Sequence, residues 1–220
     1  MPNYAVMRQT MVDTQLRPCK VVSPALLHAF STVPREVFVA EVYQPTAYCD
    51  DCIKLEGNRF MLPPFLLGQL IQALNLKTED NVLVIGCGTG YTAAIMGYLI
   101  KKVVTLEDNP VLAKRIEANL VQCRVSGAET VVGSLPAGWS KAAPYDGILI
   151  NGAIPEVPKA VFKQLADQGR LVAILQQGKN KLGAAYLFQR SGENISKQLL
   201  FKVACPVLQE FSAKPKFLFS

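Results

Sequence analysis

The chain has 220 residues, half of them hydrophobic and 18% charged, which is the composition of an ordinary globular protein and excludes intrinsic disorder. No apolar run approaches the roughly 18 residues of a membrane span. The start, Met1 to Thr10, lacks a charged-then-apolar leader pattern, so the cytoplasm is the expected compartment. The net charge of +6 is unevenly placed: residues 1–155 carry 13 Lys/Arg against 13 Asp/Glu, and residues 156–220 carry 10 against 4. A basic last third reads first as a solvated face and second as a surface for an acidic or nucleic-acid partner. Its aromatic residues, Phe201, Phe211, Phe217 and Phe219, do not interleave with the lysines as a base-stacking platform would, so nucleic acid is not the expected partner.

In chain order, residues 4–40 read as helical. Ser23-Pro24 supplies an N-cap and a first-turn proline, Leu26, Leu27 and Phe30 follow at helical spacing, and Pro34 ends the helix by Val33. His28, the single histidine, reads as a structural or surface residue, and its solitude removes most histidine-based acid–base schemes. Residues 41–62 have no clean period and contain the turn formers Asp50, Asp51, Gly57 and Asn58. A loop of this length with so many apolar and aromatic residues reads as a cover over a site. Within it, Cys49-Asp-Asp-Cys52 has half-site spacing, but no second cysteine pair exists to complete a zinc site, and no metal is expected. Pro63-Pro64 then starts a helix from Phe65 to Leu76.

From Asn81 the chain alternates strand and helix. Asn81–Ile85 reads as a buried strand, and Tyr91–Ile100 as a helix. Lys102–Glu107 is a second strand, and Asn109-Pro110 caps a helix reaching about Cys123. Further strands are expected at Glu129–Gly133, Tyr145–Asn151 and Gly169–Leu175, with a helix over Val157–Ala166. Ala184–Gln189, a turn at Ser191–Asn194, and Lys197–Ala204 read as a hairpin. The expected fold is α/β: a doubly wound, mostly parallel sheet with antiparallel C-terminal edge strands.

The chemistry concentrates at Ile85-Gly-Cys-Gly-Thr-Gly90, where glycines recur at every second position. The third glycine of a dinucleotide fingerprint would stand at Tyr91, and no Gly-Lys-Ser/Thr follows, so neither the dinucleotide pattern nor the P-loop is met. Gly-x-Gly-x-Gly looks instead like the S-adenosylmethionine turn of class I, Rossmann-like methyltransferases. Glu107 closes the second strand, where an acid can accept hydrogen bonds from a ribose diol. The alternative is that Glu107, with Asp108 and Asn109, only caps the following helix.

The chain also resembles the protein-L-isoaspartate (D-aspartate) O-methyltransferase family over most of its length. The resemblance rests on Met11-Val12 and Gln15-Leu16, Val33-Pro-Arg-Glu-Val-Phe-Val39, Ala47-Tyr-Cys-Asp50, Val84-Ile-Gly-Cys-Gly-Thr-Gly-Tyr91, Tyr145-Asp-Gly-Ile148 and Leu165-Ala-Asp-Gln-Gly-Arg-Leu-Val172. It implies transfer of a methyl group from S-adenosyl-L-methionine to the carboxylate of damaged aspartyl residues, with a protein or peptide as partner. Two segments depart from the family. Its Gln-Thr-x-Ser-Gln-Pro aligns with Arg59-Phe60-Met61-Leu62-Pro63-Pro64, so the active-site Ser falls on Leu62 and the Thr on Phe60. Its Gly-Asp-Gly aligns with Gly133-Ser134-Leu135.

The resemblance and the turn together imply cofactor binding by Ile85, Gly86, Cys87, Gly88, Gly90, Glu107, Asp108, Ser134 and Leu135. The candidate substrate contacts are Arg59, Phe60, Leu62 and Tyr48, with Arg59 free to take over a carboxylate by a bidentate pair. A single domain over 1–220 is expected, with N-terminal helices and the covering loop in 1–76, the cofactor-binding core in 77–175 and C-terminal strands in 176–220. Two other readings stay open: a methyltransferase acting on a small molecule or RNA, and a cofactor-binding protein that has lost catalysis.

Overall fold

The structure, a computed structural model, describes residues 2–177 and 182–212. Lys179, Lys181, Phe217 and Phe219 of the basic last third lie outside the described residues. The N-terminal part is helical, as its capping signals require. Asn3 caps α1 (Tyr4–Met11), which widens into a π turn at Val12–Leu16. The Ser23 side chain accepts from the Leu26 amide at the start of α2 (Pro24–Thr32). Arg35–Phe38 and Glu41–Thr46 form 3-10 turns. The loop over residues 41–62 then folds into a small antiparallel hairpin, β1 (Ile53–Lys54) and β2 (Phe60–Met61). Helix α3 (Pro64–Leu74) stops at Asn75, which takes the left-handed conformation with φ 48°.

The α/β core follows in the expected order. It comprises β3 (Asn81–Ile85), α4 (Tyr91–Gly97), β4 (Lys102–Glu107), α5 (Pro110–Gln122), β5 (Ala128–Val132), β6 (Tyr145–Ile154), α6 (Lys159–Phe162) and β7 (Leu165–Leu175). The hairpin β8 (Gly183–Ser191) and β9 (Asn194–Val203) completes it. The seven strands are ordered β5-β4-β3-β6-β7-β8-β9. Pairings from β5 through β7 are parallel, and those of β7 with β8 and β8 with β9 are antiparallel.

The central strands are buried on both faces, which is why β3 reads as an uninterrupted apolar run. Val82 and Val84 pack into the cluster shared with the N-terminal helices. Leu83 and Ile85 pack into the cluster on the opposite face, with Ile148, Ile150 and Leu171. This alternation is the two-residue period of a strand.

One expected element differs. The helix over Val157–Ala166 is a single turn, and β7 begins at Leu165 rather than Gly169. The cause is local. Gln164 is pulled out of a helical path because its carbonyl accepts from the Tyr145 amide at 2.8 Å. Its side chain also bonds the Trp139 amide and the Ala137 carbonyl, each at 2.7 Å. Leu165 then pairs with Tyr145, and a register shift follows, with Gln168 at φ 62°.

After β9 the chain returns across the carboxyl ends of the strands. The Ala153 amide donates to Pro206 O at 2.9 Å, and the Leu208 amide to Ala153 O at 2.8 Å. Leu208 and Glu210 are thereby delivered to the end of the sheet where the glycine turn lies.

Candidate active site

The glycine turn joins β3 to α4. Gly86 donates its amide to Leu106 O at 3.0 Å, which ties the turn to the end of β4. Gly86 and Gly88 have φ 75° and 64°, a region that costs an L side chain strain. Two asparagines hold the turn from behind. Asn119 of α5 donates to Thr89 O at 2.8 Å. Asn151 of β6 donates to Gly86 O at 3.3 Å and accepts from Thr92 Oγ1 at 2.9 Å. Neither was singled out from the sequence. Asn151 carried a usable signal, since it is polar and follows the apolar run Ile148–Ile150 toward the carboxyl end of a parallel strand.

Glu107 ends β4 beside this turn and is fully buried. Its Oε2 accepts from the Gly88 amide at 3.2 Å and its Oε1 from the Asp108 amide at 3.1 Å. The helix-cap alternative fails, because Asn109 caps α5, its side chain accepting from Val111 N at 2.9 Å. The acid at the end of β4 is therefore one that the cap of α5 does not use.

The loop above packs directly onto the glycine turn. A Cβ on Gly88 would lie 2.8 Å from Leu55 Cδ1 and 3.3 Å from Arg59 Cβ, so the face of the turn is packed by side chains of the connection between β1 and β2. Leu208 closes over Gly86 in the same way, at 3.1 Å, with Leu135 at 3.6 Å. Arg59, expected at a substrate carboxylate, is 1% exposed and turned inward. Its Nε lies 3.2 Å from both Glu107 oxygens, its Nη2 2.7 Å from Glu107 Oε1 and 2.6 Å from Asp108, and its Nη1 2.8 Å from Glu210. Burial alone lowers the Arg59 pKa, but the Glu107 and Glu210 hydrogen bonds outweigh it, and the net shift is upward. Burial pushes the Glu107 carboxyl above its ordinary range, although Arg59 pulls it back.

The other expected residues divide. Ile85 and Cys87 are buried within the turn, and burial pushes the Cys87 thiol up to about 12. A Cβ on Gly90 would meet Ile116 Cγ2 of α5 at 3.0 Å, so this glycine serves close packing. Ser134 is exposed at the start of a 3-10 turn, and Leu135 is buried beside Gly86. Leu62 is 2% exposed and belongs to the core, and Phe60 is half-buried. Tyr48 is not turned to the glycine turn. Its hydroxyl donates to Glu36 and accepts from Arg8 Nε at 2.9 Å, joining the loop to α1 and the 3-10 turn after α2. Next to the site, a cleft of about 280 Å³ opens between Val39, Tyr43, Leu55, Thr89 and Arg115.

The sequence motifs outside the turn explain how the cover is held. Arg35, fully buried, donates to Ala47 O at 2.6 Å and Leu62 O at 2.7 Å and lies over the Tyr91 ring at 4.8 Å. Gln15 donates to Tyr48 O at 2.8 Å. These contacts fasten both ends of the covering segment to the helices beneath it.

The chain is similar to known proteins over most of its length. The family model described as Protein-L-isoaspartate(D-aspartate) O-methyltransferase matches residues 7–208. A protein-L-isoaspartate O-methyltransferase of Koribacter versatilis is 32% identical over 197 residues, 90% of this chain and 88% of the relative. One from Herpetosiphon aurantiacus is 35% identical over 196 residues, 89% and 87% of the two chains. Among solved structures, a protein-L-isoaspartate O-methyltransferase superposes with TM-score 0.82 at 23% identity, covering 91% of this chain and 65% of that one. A Plasmodium falciparum protein described as a putative enzyme of this kind, in complex with S-adenosyl-L-homocysteine, gives TM-score 0.78 at 16% identity, covering 92% and 98%.

Proposed function

Because this chain belongs to the protein-L-isoaspartate(D-aspartate) O-methyltransferase family, we propose that it methylates the carboxylate of isoaspartyl residues in proteins or peptides, using S-adenosyl-L-methionine, as a step in protein repair. The observation that carries this reading is the pairing of the glycine turn with buried Glu107 at the adjacent strand end. The residue types fit the cofactor, although the hairpin now lies on them. Glu107 has two carboxylate oxygens able to accept from ribose hydroxyls once Arg59 leaves them, Gly86 and Gly88 present backbone without a Cβ, and Leu135 and Leu208 form an apolar wall beside Gly86. The cytoplasm, whose reducing pool keeps thiols free, is the proposed compartment for the six free cysteines.

When bound, the cofactor supplies a sulfonium methyl for in-line transfer to an ionised carboxylate oxygen, which needs no base to activate it. The work left to this chain is positioning and exclusion of water. Phe60 and Leu62 bring no side-chain donor, so acceptor orientation falls to backbone groups and to the apolar cover. Arg35 fixes that cover through its two carbonyl contacts.

A labelled-methyl assay tests the reading. Transfer to an isoaspartyl peptide, and not to the matching aspartyl peptide, is the expected result. Saturable S-adenosylhomocysteine binding without transfer to any isoaspartyl peptide would overturn the substrate assignment. It would favour a cofactor-binding protein that has lost catalysis, a reading consistent with the burial of Leu62 where the family carries its hydroxyl.

A further inference from the structure

The cation nearest the cofactor's acid belongs to the chain itself. Three carboxylates, Glu107, Asp108 and Glu210, surround the one guanidinium of Arg59, and all three of its nitrogens are engaged. Arg59 reaches Glu107 because the hairpin turn projects it inward. Gly57 and Asn58 take φ 62° and 56°, and the Leu55 amide closes the turn on Arg59 O at 2.8 Å. The same turn lays Leu55 against Gly88.

We propose that Arg59 is an internal competitor for the cofactor, holding the ribose acid Glu107 in the free protein. The chain then takes S-adenosylmethionine only when the Ile53–Met61 hairpin lifts Arg59 and Leu55 off the glycine turn. The inference rests on the reading of Glu107 given above. The physical reason is that one carboxylate cannot serve both partners. Glu107 accepts three contacts from Arg59 and two from backbone amides, and a diol must displace the guanidinium to donate hydrogen bonds there.

The latch is built to open. Its outer contacts are to partly exposed acids, with Asp108 and Glu210 side chains 35% and 25% exposed. Glu210 Oε2 is buried without a partner among the described residues, so holding Glu210 in place carries a desolvation cost that opening removes. Arg59 thus gates binding: it sets the fraction of molecules competent to bind, and apparent affinity falls by that fraction.

The test is calorimetry with S-adenosylhomocysteine on the full chain, together with hydrogen exchange of residues 53–61. Arg59→Ala removes the competitor. Leu55→Ala removes the packing on Gly88 and Glu210→Gln weakens the outer contact to Arg59 Nη1, while Glu107 and Arg59 themselves are kept, and circular dichroism checks folding of each. All three are expected to bind at least about tenfold more tightly than the parent chain. Ligand addition is expected to speed exchange across the hairpin in the parent chain. Equal affinity in the parent and the folded variants, with hairpin exchange unchanged by ligand, overturns the competition and leaves the cofactor reading standing. No binding by any folded variant, Arg59→Ala included, overturns both.

Discussion

Arg35 Nη2 donates to the carbonyl of Leu62 at 2.7 Å. Leu62, on which the resemblance places the family's active-site Ser, is therefore positioned through its backbone, from a fully buried guanidinium whose Nε also holds Ala47 O at 2.6 Å. The motif Val33-Pro-Arg-Glu-Val-Phe-Val39 has a mechanical meaning: it clamps both ends of the covering loop.

Arg35→Lys keeps the charge but loses the fork, and an ammonium cannot reach both carbonyls along the same directions. The expected cost is about 3 kcal/mol, the scale of a buried charged group deprived of partners. Urea denaturation measures it. A change under about 0.5 kcal/mol, the size expected of an ordinary surface substitution, would refute the clamp.

Glu107→Gln removes the charge facing Arg59 and leaves a side chain that cannot accept from two ribose hydroxyls with both atoms. S-adenosylhomocysteine affinity is expected to fall at least about tenfold, or 1.4 kcal/mol. Asn109→Ala separates capping from binding at the neighbouring position. It should cost about 1 kcal/mol of stability through the lost α5 cap, with unaltered ligand affinity. If Asn109→Ala weakens binding as much as Glu107→Gln, the assignment of distinct roles is wrong.

Leu62→Ser restores the family's hydroxyl in a site that is 2% exposed and packed in the main core. It removes most of a buried side chain and introduces a polar group, so a loss of about 2–4 kcal/mol is expected, read by thermal or chemical unfolding. Turnover on an isoaspartyl peptide is not expected to rise. A substitution that left stability unchanged and raised turnover would show that Leu62 faces the acceptor.

Cys87 reports on the turn. Burial raises its thiol from 9.0 to about 12, so it should resist iodoacetamide at pH 8 in the native protein and react on unfolding, as mass spectrometry can follow. The sign of the pH effect follows from linkage. A thiol whose folded pKa exceeds its unfolded value contributes stability that is complete below about pH 9 and is lost as pH rises toward about 12. Cys87→Ala should therefore flatten the decline in stability over that window. An unchanged alkaline profile would contradict this.

The sequence by itself determined the alternation of strand and helix from Asn81 to Leu175, the C-terminal hairpin, and the glycine turn with its acid. These are local signals: apolar runs, caps such as Ser23 and Asn109, and glycines at positions with φ near 70°. Leu62 and Tyr48 were legible as motif positions, but their directions were not. Tertiary structure decided that Tyr48 turns to Glu36 and Arg8, and that Gln164 breaks the helix expected after Val157. It also decided the role of Arg59. Which carboxylate a guanidinium finds depends on residues 48 and 151 positions away, Glu107 and Glu210, brought together only by the sheet order and by the return of the chain past Ala153. Periodicity carries no information about contacts at that separation. Burial and charge pairing in the folded molecule turn an apparent substrate ligand into the buried partner of Glu107.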